Sequence, residues 1–258
     1  MRRVSKRHAR VLTVALGVSF ALVSAVDLVS LAVGLDIGHA VAKPLLMPLL
    51  AVYAHLRGGP RLLVGALLCG WGGDVLLLLD AEPAFLAGMA SFAAGHVCYL
   101  LLFAKLGNPG KPGEGNAPRR RAGRLTAAAY ALALLVTVAL LWPGLPAGLR
   151  GPVAAYSLLL TAMAYGATRL GPVAAAGGAL FMLSDTLIAT GVADRPQPPR
   201  PDLWIMLTYL AAQYLLVTAV LRVSGARPGP SDAEPPEPSC ATHPGSRPVT
   251  SGSAPAPP

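Results

Sequence analysis

The chain has 258 residues, of which 54% are apolar and only 13% are charged. This composition is unlike that of a soluble globular domain and is typical of a polytopic helical membrane protein. A formal charge of +9 could indicate nucleic-acid binding, but the basic residues lie between apolar runs instead of forming one patch. The expected partner is therefore the lipid bilayer and not nucleic acid.

Windows of about 20 apolar residues, each long enough to cross a bilayer as a helix, follow one another along the chain. Eight such windows lie at 11–34, 38–56, 62–80, 84–105, 125–142, 152–169, 172–192 and 203–222. The second contains Pro44 and Pro48, which can kink it or delay its start. The sequence therefore predicts an all-α fold, a polytopic membrane bundle of eight transmembrane helices.

The distribution of Lys and Arg predicts the orientation of this bundle. With eight spans, seventeen basic residues fall on the side that holds both termini, and three, Arg150, Arg195 and Arg200, fall on the other side. Cytoplasmic segments carry an excess of Lys and Arg. Both termini are therefore expected in the cytoplasm, and the protein is expected to be a multi-pass protein of a bacterial cytoplasmic membrane.

The composition divides the chain into three regions. Residues 1–10 form a basic cytoplasmic N-terminus, and 11–222 form the eight-helix membrane domain, which includes an Arg-rich cytoplasmic loop at 107–124. Residues 223–258 contain ten Pro together with many Ser, Gly and Ala. Such a segment cannot bury enough apolar surface to fold, so we expect a disordered cytoplasmic tail.

Two carboxylates lie inside apolar spans. An Asp at the centre of a span disfavours insertion by about 2.5 to 3.5 kcal/mol, so such a residue is a candidate for a functional site. Asp74 lies 13 residues after Arg61, and Asp185 lies 13 residues after Pro172. Because both spans are expected to run outwards, both carboxylates should lie about 20 Å from the cytoplasmic edge, where they can face each other.

Other polar side chains lie in the same spans, and each has more than one interpretation. Lys43 could be a counter-ion, a phosphate ligand or a residue that extends to the outer interface, near Asp27. His96 and Tyr99 continue an aromatic face of the fourth span, which is either packing or part of a site. Tyr209 and Gln213 stand four residues apart on one face of the eighth span.

Only His96 lies well inside a span, whereas His39 and His55 lie near span ends. A metal centre built from several histidines is therefore not indicated, and neither a metal nor an organic cofactor is expected.

In their order and spacing, these elements resemble the YhhN-type lysoplasmalogenase family of integral membrane proteins. The matching elements are Lys43-Pro44, Gly73-Asp74, Phe85-x2-Gly88-x3-Phe92-x3-His96-x2-Tyr99, Gly178-Ala179-x-Phe181-x2-Ser184-Asp185 and Tyr209-x3-Gln213. They cover most of residues 38–222.

The resemblance implies eight spans and hydrolysis of the vinyl ether bond of lysoplasmalogens, lysophospholipids that yield a fatty aldehyde and a glycerophospho product. It places the catalytic acids at Asp74 and Asp185, with Ser184 in the same motif. Buried paired acids suit this chemistry, because one can deliver a proton while the other stabilises a cation. Lys43 is expected to hold the phosphate or act on one Asp, while His96 and Tyr99 orient water or the glycerol hydroxyl.

Two other functions fit the same residues. The first is a non-enzymatic lipid-binding or proton-coupled transport protein, in which the Asp pair is a proton relay. The second is a metal-assisted hydrolase of a lipid ester or amide, which would need further His or Asp ligands at helical spacing.

Overall fold

The structure, a computed structural model, describes residues 2–79, 81–107 and 117–225. Within these ranges the chain forms eight α-helices and one short 3₁₀ turn at Thr168–Leu170, and it forms no strand. The helices are α1 (Arg2–Val33), α2 (Asp36–Leu56), α3 (Arg61–Leu76), α4 (Glu82–Leu106), α5 (Ala117–Leu141), α6 (Ala147–Ala167), α7 (Pro172–Val192) and α8 (Pro201–Gly225). The predicted all-α class is confirmed, and the chain is a multi-pass membrane protein.

Six of the eight described helices are long and apolar enough to span a membrane, and α3 and α6 are the other two. The 16 residues of α3 extend over about 24 Å, less than the roughly 30 Å of a bilayer core. The window 62–80 predicted a longer helix. Instead, α3 ends at Leu76, and the amides of Leu78 and Leu79 bond to carbonyls three residues back, in tight turns.

Three other helix ends differ from the predicted regions. Helix α1 begins at Arg2, α5 begins at Ala117, and α8 continues to Gly225. Parts of the expected basic N-terminus and of the loop 107–124 are therefore helical, because Arg and Ala are good helix formers that an apolar window does not detect. The predicted tail lies outside the described residues from 226 onwards.

The bundle places α8 at its centre and α5 at its edge. Helices α1, α2, α3 and α4 pack in sequence, α4 packs against α6, and α6 and α8 flank α7. Helix α8 also contacts α1 to α4, and 56% of its apolar window is buried. Helix α5 contacts α6 and α7, and only 6% of its window is buried, so most of its surface faces lipid.

Small residues allow the helices that carry the polar groups to approach closely. A Cβ at Gly178 would lie 2.9 Å from the Cα of Ala164, so α7 touches the backbone of α6 at this point. A Cβ at Gly95 would lie 3.1 Å from the carbonyl oxygen of Ala66, so α4 touches α3 in the same way. Close contact through small residues is a common way for helices to associate in lipid.

Candidate active site

Asp74 lies in the last turn of α3 and is buried. The Tyr209 hydroxyl donates a hydrogen bond of 2.9 Å to its Oδ2 atom. Gln213 Nε2 donates to the Tyr209 hydroxyl over 3.3 Å, and the Tyr99 hydroxyl donates to Gln213 Oε1 over 2.7 Å. Three of the predicted site residues therefore form one hydrogen-bond chain, which runs from α4 through α8 to the Asp74 carboxylate.

Asp185 lies on α7 and has a different set of partners. The hydroxyl of Tyr156, on α6, donates a short hydrogen bond to its Oδ2 atom. His96 Nε2 lies 3.0 Å from the Tyr156 hydroxyl oxygen and 3.9 Å from Asp185 Oδ2. The structure thus brings together the predicted residues His96 and Asp185 and adds Tyr156, which the sequence analysis did not select.

The position of one proton in this group follows from its geometry. The only hydroxyl proton of Tyr156 is used in the bond to Asp185, so the Tyr156 oxygen must accept a hydrogen bond from His96 Nε2–H. This direction corresponds to the tautomer of His96 that carries its proton on Nε2. Its Nδ1 atom is buried and has no hydrogen-bond partner among the described residues.

An aromatic layer separates the two carboxylates. The Phe181 ring packs edge-on against His96 and Tyr209, with ring centroids 4.8 and 5.5 Å apart, respectively. The Phe92 ring packs edge-on against Tyr209 from α4. The predicted aromatic face of α4 thus serves both as packing and as part of the site.

A cavity of about 70 Å³ lies beside Asp185. Asp185 and Tyr156 form polar parts of its wall, and most of the remaining wall is apolar. The apolar part comes from the end of α3 and from α4, α5, α6 and α7, and it includes Leu77, Phe85, Met89, Phe92, Leu134, Val153, Leu160, Met182, Ile188, Ala189 and Val192. Asp74 is not among the lining residues, because it lies behind Phe92 and Tyr209.

Lys43, on α2, is half-buried, and its charge acts on the Asp74 carboxylate. The indole nitrogen of Trp71 donates a 2.9 Å hydrogen bond to the carbonyl of Pro44, which holds α3 against α2 next to Lys43. Pro44 and Pro48 both lie inside a continuous α2, which begins at Asp36. The structure therefore places Lys43 on the side of Asp74 that is remote from the cavity.

Ser184 precedes Asp185 but has a different partner. Its hydroxyl is buried and donates a 3.0 Å hydrogen bond to the carbonyl oxygen of Ile205 on α8. Ser184 therefore joins α7 to α8 and supports the position of Asp185, and it does not line the cavity.

Asp27 and His39, which were expected at the interface, form a partly buried hydrogen-bonded pair. Asp27 on α1 is completely buried, and its Oδ1 atom lies 2.8 Å from His39 Nδ1 on α2. Sequence position placed them near span ends, but it could not show that the α1–α2 contact encloses them. The charge of Asp27 also acts on Asp74, so this pair belongs to the surroundings of the site.

Among the described residues, no three His, Cys, Asp or Glu side chains are grouped as a metal site would require. That the chemistry needs no metal or organic cofactor stays a prediction.

Comparison with known protein families identifies the family of this chain. The family model described as the YhhN family matches residues 38–220. The chain belongs to the YhhN family. The matched region contains every site residue predicted from the sequence, whereas Asp27 lies outside it.

Curated relatives of this YhhN-family chain are named as enzymes. Lysoplasmalogenase TMEM86B of Homo sapiens is 36% identical over 171 residues, which cover 64% of this chain and 66% of the human protein. Lysoplasmalogenase TMEM86B of Sus scrofa is 34% identical over 195 residues, or 70% of this chain and 76% of the pig protein. The chain thus spans about two thirds of the human relative's length. No solved structure matches the chain.

Proposed function

We propose that this protein hydrolyses the vinyl ether bond of a lysoplasmalogen-like lysophospholipid and releases a fatty aldehyde and a glycerophospho product. The curated relatives named lysoplasmalogenase support an ether-bond hydrolase. The observation that carries the proposal is the position of Asp185, a carboxylate bonded to Tyr156 in the wall of an otherwise largely apolar cavity within the bundle. A lipid can meet an acid there away from bulk water.

The size of the cavity limits how much of the lipid it can hold. Its volume of about 70 Å³ is well below the roughly 300 to 1,000 Å³ of pockets that enclose a drug-sized ligand. It can therefore hold the vinyl ether and the first carbons of the chain. Helices α4 and α5 both line the cavity, and α5 is the helix most exposed to lipid, so the rest of the chain leaves between them into the bilayer.

Asp185 is the acid that touches the substrate. Its carboxyl proton adds to the vinyl carbon remote from the ether oxygen and leaves an oxocarbenium ion at the other vinyl carbon. Water attacks that carbon and gives its proton to the Asp185 carboxylate, which restores the acid. The resulting hemiacetal breaks into an aldehyde and the glycerol hydroxyl, so one water is consumed for each bond cleaved.

Other residues support Asp185 but form no covalent bond to the substrate. Tyr156 holds Asp185 by its hydroxyl, and His96 orients Tyr156 in turn. In its ionised form Asp74 stabilises the cation from across the aromatic layer, where low dielectric strengthens the interaction. Lys43 lies on the α2 side, remote from the cavity, and acts on the Asp74 carboxyl group and not on the substrate phosphate.

The test is aldehyde release by the purified full chain from a lysoplasmalogen and from the saturated lysophospholipid with the same head group. We expect aldehyde from the vinyl ether lipid alone. Asp185→Asn should lower kcat by about 10²-fold or more, the range of a lost general acid. Asp74→Asn should lower it less, because Asp74 acts through charge.

The matched control is Asp194→Asn, which makes the same chemical change at an exposed residue after α7 and should leave kcat unchanged. Full activity of Asp185→Asn would exclude the proposed acid. If neither lipid releases aldehyde while the lysoplasmalogen still binds, the non-enzymatic lipid-binding or transport function, with the Tyr99-to-Asp74 hydrogen-bond chain as part of a proton path, would replace this proposal.

A further inference from the structure

A second and larger recess lies between α1, α2 and α8, and it shares no residue with the cavity beside Asp185. Its volume is about 580 Å³. The buried side chains of Phe20, Leu50 and Leu210 form its floor. Val14, Val18, Leu207 and Tyr214 line its sides and are exposed. We call this recess the α1–α8 groove.

One end of the α1–α8 groove is basic. Arg57 lines it, and its guanidinium donates a 3.0 Å hydrogen bond to the Tyr53 hydroxyl, which leaves other N–H groups free to bind a ligand. Arg10 lies one turn before Thr13 on α1, and Arg222 lies two turns after Tyr214 on α8. The first residues of α1 and the last residues of α2 and α8 lie at the same end of the bundle. Arg10, Arg57 and Arg222 are therefore at one end of the groove.

The described parts of α1, α2 and α8 at this end of the groove carry no acidic residue. The segments 1–26, 37–73 and 203–231 contain neither Asp nor Glu. The positive-inside rule places this end of the bundle in the cytoplasm, where the membrane surface carries anionic lipid. The opposite end of the groove, at Ser24 and Leu28, has no basic lining residue, and Arg200, which reaches α1 near that end, donates a hydrogen bond to the Leu31 carbonyl oxygen. The groove is thus apolar along its length and cationic at one end, which matches the charge and shape of an anionic phospholipid.

We propose that the α1–α8 groove binds one anionic phospholipid of the cytoplasmic leaflet, with an acyl chain on the Phe20–Leu50–Leu210 floor and the phosphate at Arg57. The site is independent of vinyl ether hydrolysis, since none of its residues belongs to the catalytic cavity. A guanidinium presents several N–H donors to phosphate oxygens and suits this role better than an ammonium group.

The experiment is native mass spectrometry of the purified full chain from mixed micelles that contain equal amounts of phosphatidylglycerol and phosphatidylcholine with identical acyl chains. We expect the wild type to retain one phosphatidylglycerol in preference to phosphatidylcholine. Arg57→Gln should lower that preference about fivefold, as expected for loss of one arginine near an anionic head group. Arg195→Gln, the same change at an exposed residue remote from the groove, should not lower it.

A second variant tests the groove itself. A Cβ at Gly17 would lie 3.6 Å from the Tyr53 ring, an ordinary contact, so the longer side chain of Gly17→Leu fits only by extending into the groove. It should reduce retention of both lipids. Gly148→Leu, where a Cβ meets nothing within 4 Å, is the control. Equal retention of both lipids by the wild type, or undiminished phosphatidylglycerol on Gly17→Leu, would overturn the proposal, and circular dichroism checks that each variant is folded.

Discussion

Tyr156 joins the two residues on which the proposed proton transfer depends. It donates to Asp185 and accepts from His96, although 29 and 60 residues separate it from them in the chain. Little in the sequence indicates this role, because nothing in the apolar span 152–169 distinguishes Tyr156 from Tyr165 on the same helix. A tyrosine within a span can find a partner only on another helix, and such partners are set by packing, which a single span does not reveal.

Replacing Tyr156 with Phe keeps the ring and removes the hydroxyl. A hydrogen bond to a charged group contributes about 1.5 to 3 kcal/mol, so we expect kcat for aldehyde release to fall about 10- to 100-fold, with a smaller change in KM. Tyr165→Phe is the control, because Tyr165 lies on the same helix and makes ring contacts with Tyr130 and Arg169. An unchanged kcat for Tyr156→Phe would mean that the Asp185 carboxyl does not need this donor.

The positions of the helices along the chain could be predicted from hydrophobicity alone, but their lengths were predicted less accurately. The window 172–192 coincides with α7, whereas the window 62–80 extends past the end of α3 at Leu76. Apolarity continues through Leu79, but the α-helical hydrogen bonds do not, and the amides of Leu78 and Leu79 bond to carbonyls three residues back instead of four. A hydropathy window measures burial in lipid and not backbone geometry, so it misses such an end.

The site was predictable to the extent that depth and helical spacing determine it. The four-residue spacing correctly paired Tyr209 with Gln213, whereas the pairing of Asp74 with Asp185 from their equal depth stays a prediction. Rotation of each helix about its axis was not predictable. That rotation turns Asp185 towards the cavity, turns Asp74 towards Tyr209 and directs Ser184 to the Ile205 carbonyl.

The contact between α6 and α7 positions the Tyr156–Asp185 bond, and Gly178 allows that contact. A methyl group at 178 would press on the Ala164 backbone, which cannot move as a flexible side chain would. Gly178→Ala should therefore separate the two helices, lower the free energy of unfolding by about 1 to 3 kcal/mol and reduce kcat. Thermal unfolding in detergent and aldehyde release measure the two effects.

Gly148→Ala is the control for this change, since a methyl group there meets nothing within 4 Å. It should be neutral or slightly stabilising, because Ala favours helix over Gly. A Gly178→Ala protein with wild-type stability and kcat would show that α6 and α7 need not touch at this point for the site to form.

At the scale of the whole molecule, the polar groups are enclosed and the outer helices are apolar. Helix α8 carries Tyr209 and Gln213 through the centre, while α1 and α5 expose Val, Leu and Ala to the bilayer. The two recesses are lined by different helices, and one lies beside Asp185 and the other beside Arg57. This arrangement separates the site proposed for a substrate lipid from the site proposed for a resident lipid.

The orientation of the bundle remains a prediction from seventeen basic residues on one side and three on the other. It predicts that Cys240, in the C-terminal region, is cytoplasmic and that the loop after α7 is external. A membrane-impermeant maleimide should therefore label Cys240 in broken cells but not in intact cells. In a Cys240→Ser background, Asp194→Cys should be labelled in intact cells, because Asp194 is exposed in that loop. Labelling of Cys240 in intact cells would reverse the orientation and would also place the Arg57 end of the α1–α8 groove outside.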